Sequence, residues 1–96
     1  MRFRLVFSFE AASQLAALTK THPRRARKVR RALGYLEVNP RHPSLATHEY
    51  DLLSRLLGVK VFEAYVENDT PGAYRIFWYY GPQKQEISIY TITPHP

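Results

Sequence analysis

The second half of the chain contains three strand-like segments separated by short turn sequences, and this pattern limits the possible folds most. The segments are VKVFEAYVE at 59–67, AYRIFWYY at 73–80 and EISIYTIT at 86–93, and the turn sequences between them are NDTPG and GPQKQ. Proline, glycine, asparagine and aspartate favour tight turns, and consecutive strands joined by tight turns pair antiparallel. The sequence therefore predicts a three-stranded antiparallel meander.

The first 40 residues predict one strand followed by two helices. RFRLVFS at 2–8 alternates in the manner of a half-buried strand. Apolar residues then recur at helical spacing from 9 to 21, after a serine that can cap the helix. Pro23 suits the first turn of a second helix, and the Asn39-Pro40 pair ends it.

Together these elements predict an α+β fold of order β-α-α-β-β-β, with one domain over residues 1–96. The N-terminal helical hairpin is expected to pack on one face of a small antiparallel sheet and to leave the other face open. Residues 40–58 contain two prolines and predict an irregular loop, in which LLSRLL can form a short helical turn before Gly58.

Charge is unevenly distributed along the chain. Residues 1–41 carry ten Lys/Arg and two acids, a net charge of +8, whereas residues 42–96 carry a net charge of −2. The densest part is RRARKVRR at 24–31, with six basic residues and no acid. A basic half of this density indicates an anionic partner: a nucleic acid, an acidic protein or a membrane surface.

The composition also narrows the chemistry. The chain has no cysteine, which excludes disulfides and thiolate sites and fits a reducing cytosol. It has no apolar run long enough to span a membrane, so we expect a cytoplasmic protein with no membrane partner. The four histidines lack the spacing of a metal site, and we expect no metal and no cofactor.

Arg75 is the single charge in the apolar segment GAYRIFWYYG at 72–81. A charge in a buried strand is costly unless it is paired or reaches water. Two interpretations stay open: an edge residue with a solvated head group, or an anion site. Glu63, in the preceding strand, is a candidate salt-bridge partner for Arg75 or, alternatively, a general base.

The order of the elements and three short motifs resemble the RelE/ParE toxin superfamily. The motifs are NPRHPSL at 39–45, AYRIFW at 73–78 and ISIYTITPH at 87–95, and the resemblance covers nearly the whole chain. It implies a toxin that is neutralised by a cognate antitoxin in a hetero-oligomer. RelE-branch members are ribosome-dependent mRNA endonucleases, and ParE-branch members poison DNA gyrase.

The resemblance also implies roles for individual residues. Arg75 takes the place of the arginine that contacts the scissile phosphate, and His95 takes the place of a general acid or basic residue. Glu63 and Tyr90 complete the expected catalytic set, and for Tyr90 a core aromatic side chain and a side chain that stacks on a base both stay open. Metal-free RNA cleavage needs such groups, because the 2′-hydroxyl must lose a proton while charge develops on the phosphate. The residues expected to bind RNA are Lys60, Arg41, His48, Arg24, Arg27, Lys28 and Arg31.

Three functions remain open at this point. The first is a ribosome-dependent mRNA endonuclease with the ribosome and mRNA as partners. The second is a gyrase inhibitor without catalysis of its own. The third is a relative that has lost nuclease activity and only binds RNA or protein.

Overall fold

The structure is a computed structural model that describes residues 2–68 and 70–95. In these ranges five strands and three α-helices follow one another. The elements are β1 (Arg4–Phe7), α1 (Phe9–Thr21), α2 (Pro23–Val38), β2 (His48–Glu49), α3 (Asp51–Leu57), β3 (Phe62–Tyr65), β4 (Tyr74–Tyr80) and β5 (Glu86–Pro94), with a 3-10 turn at Pro43–Leu45.

The helical hairpin forms where the sequence predicts it. Ser8 caps α1, since its Oγ accepts a hydrogen bond from the Ala11 N–H at 2.9 Å, and Pro23 is the first residue of α2. The apolar positions of α2 face the sheet and are buried at Ala26, Val29, Leu33 and Leu36. The sequence was enough to predict the hairpin, because helix caps and apolar periodicity are set by residues that lie close together in the chain.

The sheet is mixed, and the prediction of a wholly antiparallel sheet is wrong. Its strand order is β1-β5-β4-β3-β2. The meander β3-β4-β5 is antiparallel as predicted. At one edge, however, β1 pairs parallel with β5, in the register Arg4↔Glu86 to Phe7↔Ile89. No hairpin joins β1 to β5, so no turn sequence fixes their relative direction.

The region predicted as a loop contains two further elements. The LLSRLL segment forms α3, which confirms the expected helical turn, and it ends at Gly58 in the left-handed conformation (φ 73°). The strand β2 was not predicted. It has two residues and pairs antiparallel with β3, with His48 opposite Glu63, and this register brings a histidine of the loop onto the sheet.

The main core lies between the hairpin and one sheet face. Trp78, Ile76 and Ile92 are almost fully buried there with the α2 residues. Side chains alternate between the two faces of a strand, so Glu63 and Arg75 lie on the face opposite to the helices. Among the described residues, no helix has the length and apolar character to cross a membrane.

Candidate functional site

Four side chains from separate parts of the chain meet on the sheet face that points away from the hairpin. Glu63 comes from β3, His48 from β2, Arg75 from β4, and His95 directly follows β5. The strand registers explain the meeting: His48 is opposite Glu63, and Arg75 is opposite Tyr65, two residues further along β3. We call Glu63, His48, Arg75 and His95 the carboxylate cluster.

Glu63 is the centre of the carboxylate cluster. Its side chain is only 1% exposed. Oε1 lies 2.8 Å from His48 Nε2, and Oε2 lies 2.6 Å from His95 Nδ1. A buried carboxylate is costly without partners, and here each oxygen has a histidine. Because Glu63 does not reach solvent, its geometry suits orienting the histidines better than contacting a substrate.

Among the described residues, His95 makes its side-chain hydrogen bond through one ring nitrogen. Its side chain is about half exposed (49%), and its backbone N–H donates to the Ala73 carbonyl at 2.8 Å. Since Nδ1 faces the carboxylate, it carries the hydrogen, and neutral His95 then has its lone pair on Nε2. Within residues 2–68 and 70–95, Nε2 has no hydrogen-bond partner. A carboxylate that fixes a histidine in this way prepares it for proton transfer.

Arg75 is paired and mostly buried, with 9% of its side chain exposed. Its Nε lies 3.5 Å from Glu63 Oε2, an ion pair without a hydrogen bond. Nη1 donates to the carbonyls of Glu67 (2.6 Å) and Tyr74 (3.1 Å). The salt-bridge interpretation of Glu63 is therefore confirmed, and the first effect of the Arg75 charge is to balance that carboxylate.

Tyr65 belongs to the same site and was not among the residues predicted from the sequence. Its ring centroid lies 3.7 Å from Arg75 Cζ, in a cation–π contact, and 5.9 Å from the His48 ring. The signal available in the sequence was its position two residues after Glu63, which places both side chains on one face of the strand.

Tyr90 lies outside the carboxylate cluster. Phe77 pairs with Thr91 and Trp78 with Ile89, so Tyr90 is the extra residue of a β-bulge. Its backbone carbonyl accepts a hydrogen bond from Ser8 Oγ at 2.7 Å. In the part of the chain described, no hydrogen bond or ring contact joins the Tyr90 side chain to Glu63.

Two of the residues expected to bind RNA lie on other surfaces. Lys60 is exposed and lines a shallow cleft beside α3 together with Glu49 and Asp51. Arg41 is exposed, and its Cζ lies 5.4 Å from the ring centroid of Phe62. Neither side chain makes a hydrogen bond or ion pair with the carboxylate cluster among the described residues.

The basic residues of α2 form a continuous exposed surface. Four of them line one groove: Arg24, Arg27, Lys28 and Arg31. A second cleft of about 290 Å³ lies between Lys28 and Arg31 on one side and Tyr65 on the other. Because Tyr65 also contacts Arg75, this cleft joins the basic surface of α2 to the carboxylate cluster.

Glu67 connects α2 to the β3–β4 turn. Its carboxylate lies 3.2 Å from Arg25 Nε and 3.6 Å from Lys28 Nζ, and it accepts a hydrogen bond from the Tyr74 N–H at 3.1 Å. Burial by itself would raise the pKa of Glu67. The Tyr74 hydrogen bond and the charges of Arg25 and Lys28 outweigh burial and lower that pKa below its ordinary value.

The carboxylate cluster combines a histidine that can transfer a proton with a nearby arginine charge. His48 and His95 bind different oxygens of the same carboxylate, Glu63. In residues 2–68 and 70–95, no group of three His, Cys, Asp or Glu side chains is placed to hold a metal ion.

Comparison with known proteins gives matches to solved structures alone. No family model matches the chain, and no curated protein matches it. It resembles a YoeB dimer structure from Staphylococcus aureus, with TM-score 0.70, 14% identity and full coverage of both chains. It resembles a YoeB/ParE toxin from Agrobacterium tumefaciens, with TM-score 0.70, 10% identity and coverage of 98% and 100%. For an archaeal RelE–RelB complex from Pyrococcus horikoshii the TM-score is 0.67, the identity 16% and the coverage 98% and 96%.

Proposed function

We propose that this chain, which has the fold of the RelE/ParE toxins, is the toxin of a toxin–antitoxin pair and cleaves mRNA on the ribosome without a metal ion. One observation carries the nuclease proposal. A buried carboxylate, Glu63, lies 2.6 Å from His95 Nδ1, and about half of the His95 side chain is exposed to solvent.

In the proposed reaction, His95 Nε2 accepts the proton of a ribose 2′-hydroxyl. The hydroxyl oxygen attacks the adjacent phosphorus, and the bond to the 5′-oxygen breaks. The leaving oxygen takes a proton from solvent, which yields a 2′,3′-cyclic phosphate and a 5′-hydroxyl. Glu63 holds His95 in the required tautomer and stabilises the imidazolium that forms. Only RNA supplies this nucleophile.

Arg75 and α2 supply positive charge in this proposal. Arg75 neutralises Glu63, and its field acts on the developing phosphate charge from beneath the site. Arginine is suited to this position because it stays charged when buried. The exposed residues Lys28 and Arg31 line the cleft next to Tyr65 and are proposed to hold the RNA backbone.

We propose an acidic antitoxin as the protein partner. One of the similar structures is a RelE–RelB complex and another is a dimer, which supports association with a second chain. The most strongly basic surface of this chain is α2, and a partner with complementary negative charge would bind there with an electrostatically favoured rate. Binding at α2 would also compete with RNA for Lys28 and Arg31.

The test is primer extension on a reporter mRNA after induction of the chain in cells. Wild type, His95→Gln and His22→Gln are compared, with a start-codon-defective reporter alongside. His22 is exposed between α1 and α2 and lies outside the carboxylate cluster, so its variant is a matched control. We expect cuts that require translation, persist in His22→Gln and fall about 10²–10⁴-fold in His95→Gln.

Other results would contradict the proposal. Growth arrest with intact mRNA would point to the gyrase-inhibitor alternative, which a supercoiling assay would then examine. Intact mRNA with normal growth would point to a binding protein without nuclease activity. Cuts that His95→Gln leaves unchanged would remove His95 from the mechanism.

A further inference from the structure

We propose that His48 is a positioning residue, which fixes one oxygen of Glu63 so that the other is kept for His95. This inference rests on the proposed function, in which His95 Nε2 transfers the proton. It replaces the expectation that His48 binds RNA.

Both ring nitrogens of His48 are already used. Nδ1 lies 2.9 Å from the carbonyl oxygen of Ala46, and Nε2 lies 2.8 Å from Glu63 Oε1. A carbonyl oxygen only accepts, so Nδ1 carries a hydrogen and donates it. Neither nitrogen is left for a substrate, although the side chain is about half exposed (48%).

The backbone around His48 is built to hold this geometry. Ala46 has a left-handed conformation (φ 46°, ψ 42°), which residues other than glycine rarely adopt. It follows the 3-10 turn, which Leu45 anchors with a fully buried side chain (0% exposed). Such a conformation persists where the surroundings enforce it, and here it accompanies a carbonyl placed for His48 Nδ1. The pairing of β2 with β3 then places His48 opposite Glu63.

Without His48, the Glu63 carboxylate has another partner within reach. Arg75 Nε is buried, makes no hydrogen bond within residues 2–68 and 70–95, and lies 3.5 Å from Oε2. A carboxylate freed at Oε1 would turn toward Arg75, because arginine binds both oxygens of a carboxylate. His95 would then lose the acceptor that keeps its hydrogen on Nδ1. Among the described residues, the charged and titratable side chains of this cluster are Glu63, His48, Arg75 and His95, with Tyr65 in contact with Arg75.

Two substitutions of His48 by amide side chains of different length separate the contact with Glu63 from the contact with the Ala46 carbonyl. The His48→Gln side chain can place an amide N–H near the position of Nε2 and still donate to Glu63. The His48→Asn side chain is shorter, so it can reach the Ala46 carbonyl but not Glu63. We expect His48→Gln to keep cleavage close to wild type. For His48→Asn we expect a loss of up to about 10²-fold in kcat with little change in KM, as for a displaced catalytic group.

The second readout does not depend on activity. Nitrogen-15 NMR of histidine-labelled protein reports which ring nitrogen of neutral His95 carries the hydrogen, and His22→Gln and His42→Gln variants assist the assignment. We expect a protonated Nδ1 in wild type and in His48→Gln. In His48→Asn we expect a shift toward the Nε2-protonated tautomer. Urea unfolding of each variant shows that the comparison is made on folded protein.

The outcomes distinguish this inference from the proposed function. An unchanged His95 tautomer in folded His48→Asn would overturn the positioning role, whatever the activity. Equal loss of cleavage in the Gln and Asn variants, with the tautomer unchanged, would indicate direct contact of His48 with RNA and would also overturn it. If wild type cleaves no RNA but the tautomer shifts as expected, the proposed nuclease fails while the His48–Glu63–His95 linkage stands.

Discussion

Replacing Glu63 by glutamine removes one charge of a buried ion pair while keeping the shape of the side chain. In the wild type, Glu63 is 1% exposed and its partner Arg75 is 9% exposed. Arginine does not lose its proton on burial. The variant therefore leaves a buried guanidinium that, among the described residues, keeps the carbonyls of Glu67 and Tyr74 and the ring of Tyr65 as close partners but no carboxylate.

The expected magnitude follows from the separation and the burial. At 3.5 Å the attraction of two unit charges is about 5 kcal/mol for an effective dielectric constant of 20. Removal of one partner of a buried pair typically costs about 3–5 kcal/mol. We expect Glu63→Gln to lower the free energy of unfolding by this amount, which is a large part of the roughly 5–15 kcal/mol of a small domain. The melting temperature should fall by at least about 12 °C.

Urea unfolding monitored by Trp78 fluorescence measures this loss directly. Trp78 is the single tryptophan and is fully buried (0% exposed), so unfolding changes its environment. The double variant Glu63→Gln/Arg75→Met removes both charges. It should be more stable than Glu63→Gln alone, because the unpaired charge is gone.

Glu37→Gln is the matched control. It breaks the Arg2–Glu37 ion pair, whose side chains are 73% and 41% exposed, and it should cost less than about 1 kcal/mol. The claim of a coupled buried pair is refuted if Glu63→Gln lowers the free energy of unfolding by no more than Glu37→Gln does. It is also refuted if the double variant is no more stable than Glu63→Gln alone.

Two further predictions concern Glu67 and α2. Burial would raise the pKa of Glu67, but the Tyr74 hydrogen bond and the charges of Arg25 and Lys28 lower it in the folded state. The ionised carboxylate therefore stabilises the fold above its ordinary pKa, and this stabilisation is lost as pH falls through the lowered value. Urea unfolding should show Glu67→Gln less stable than wild type near pH 7 and the difference shrinking toward about pH 3, and a constant difference would contradict this. For binding to single-stranded RNA, Arg31→Gln should reduce the slope of log affinity against log salt concentration by about 0.7. Lys84→Gln, in the β4–β5 turn, should leave that slope unchanged. Equal slopes for Arg31→Gln and wild type would remove Arg31 from the RNA contact.

The helical hairpin was predictable because its signals are local. Ser8 and Pro23 set the helix starts, and the apolar spacing of α2 selects the buried face. The parallel pairing of β1 with β5 was not predictable in this way. Those strands lie at opposite ends of the chain, and their direction depends on closure of the whole domain rather than on any turn.

Part of the candidate site was also predictable from local sequence signals. The isolated charge at Arg75 and the acid at Glu63 were visible because each is unusual in an apolar strand. The role of His48 was not visible, since it depends on the two-residue strand β2 and its register with β3. The bulge at Tyr90 likewise arises from strand pairing, which no local pattern of the sequence shows.

The carboxylate cluster and the basic surface of α2 are parts of one connected structure. The side chain of Glu67 binds Arg25 and Lys28 of α2, while its backbone carbonyl accepts a hydrogen bond from Arg75 Nη1. The position of Arg75 therefore depends on a segment that α2 holds in place, and Arg75 in turn neutralises Glu63. Because Glu63 orients His95, the charge on α2 bears on the site through contacts as well as through its long-range field. An anionic chain bound along α2 would lie beside Tyr65, next to the residues that the proposed reaction uses.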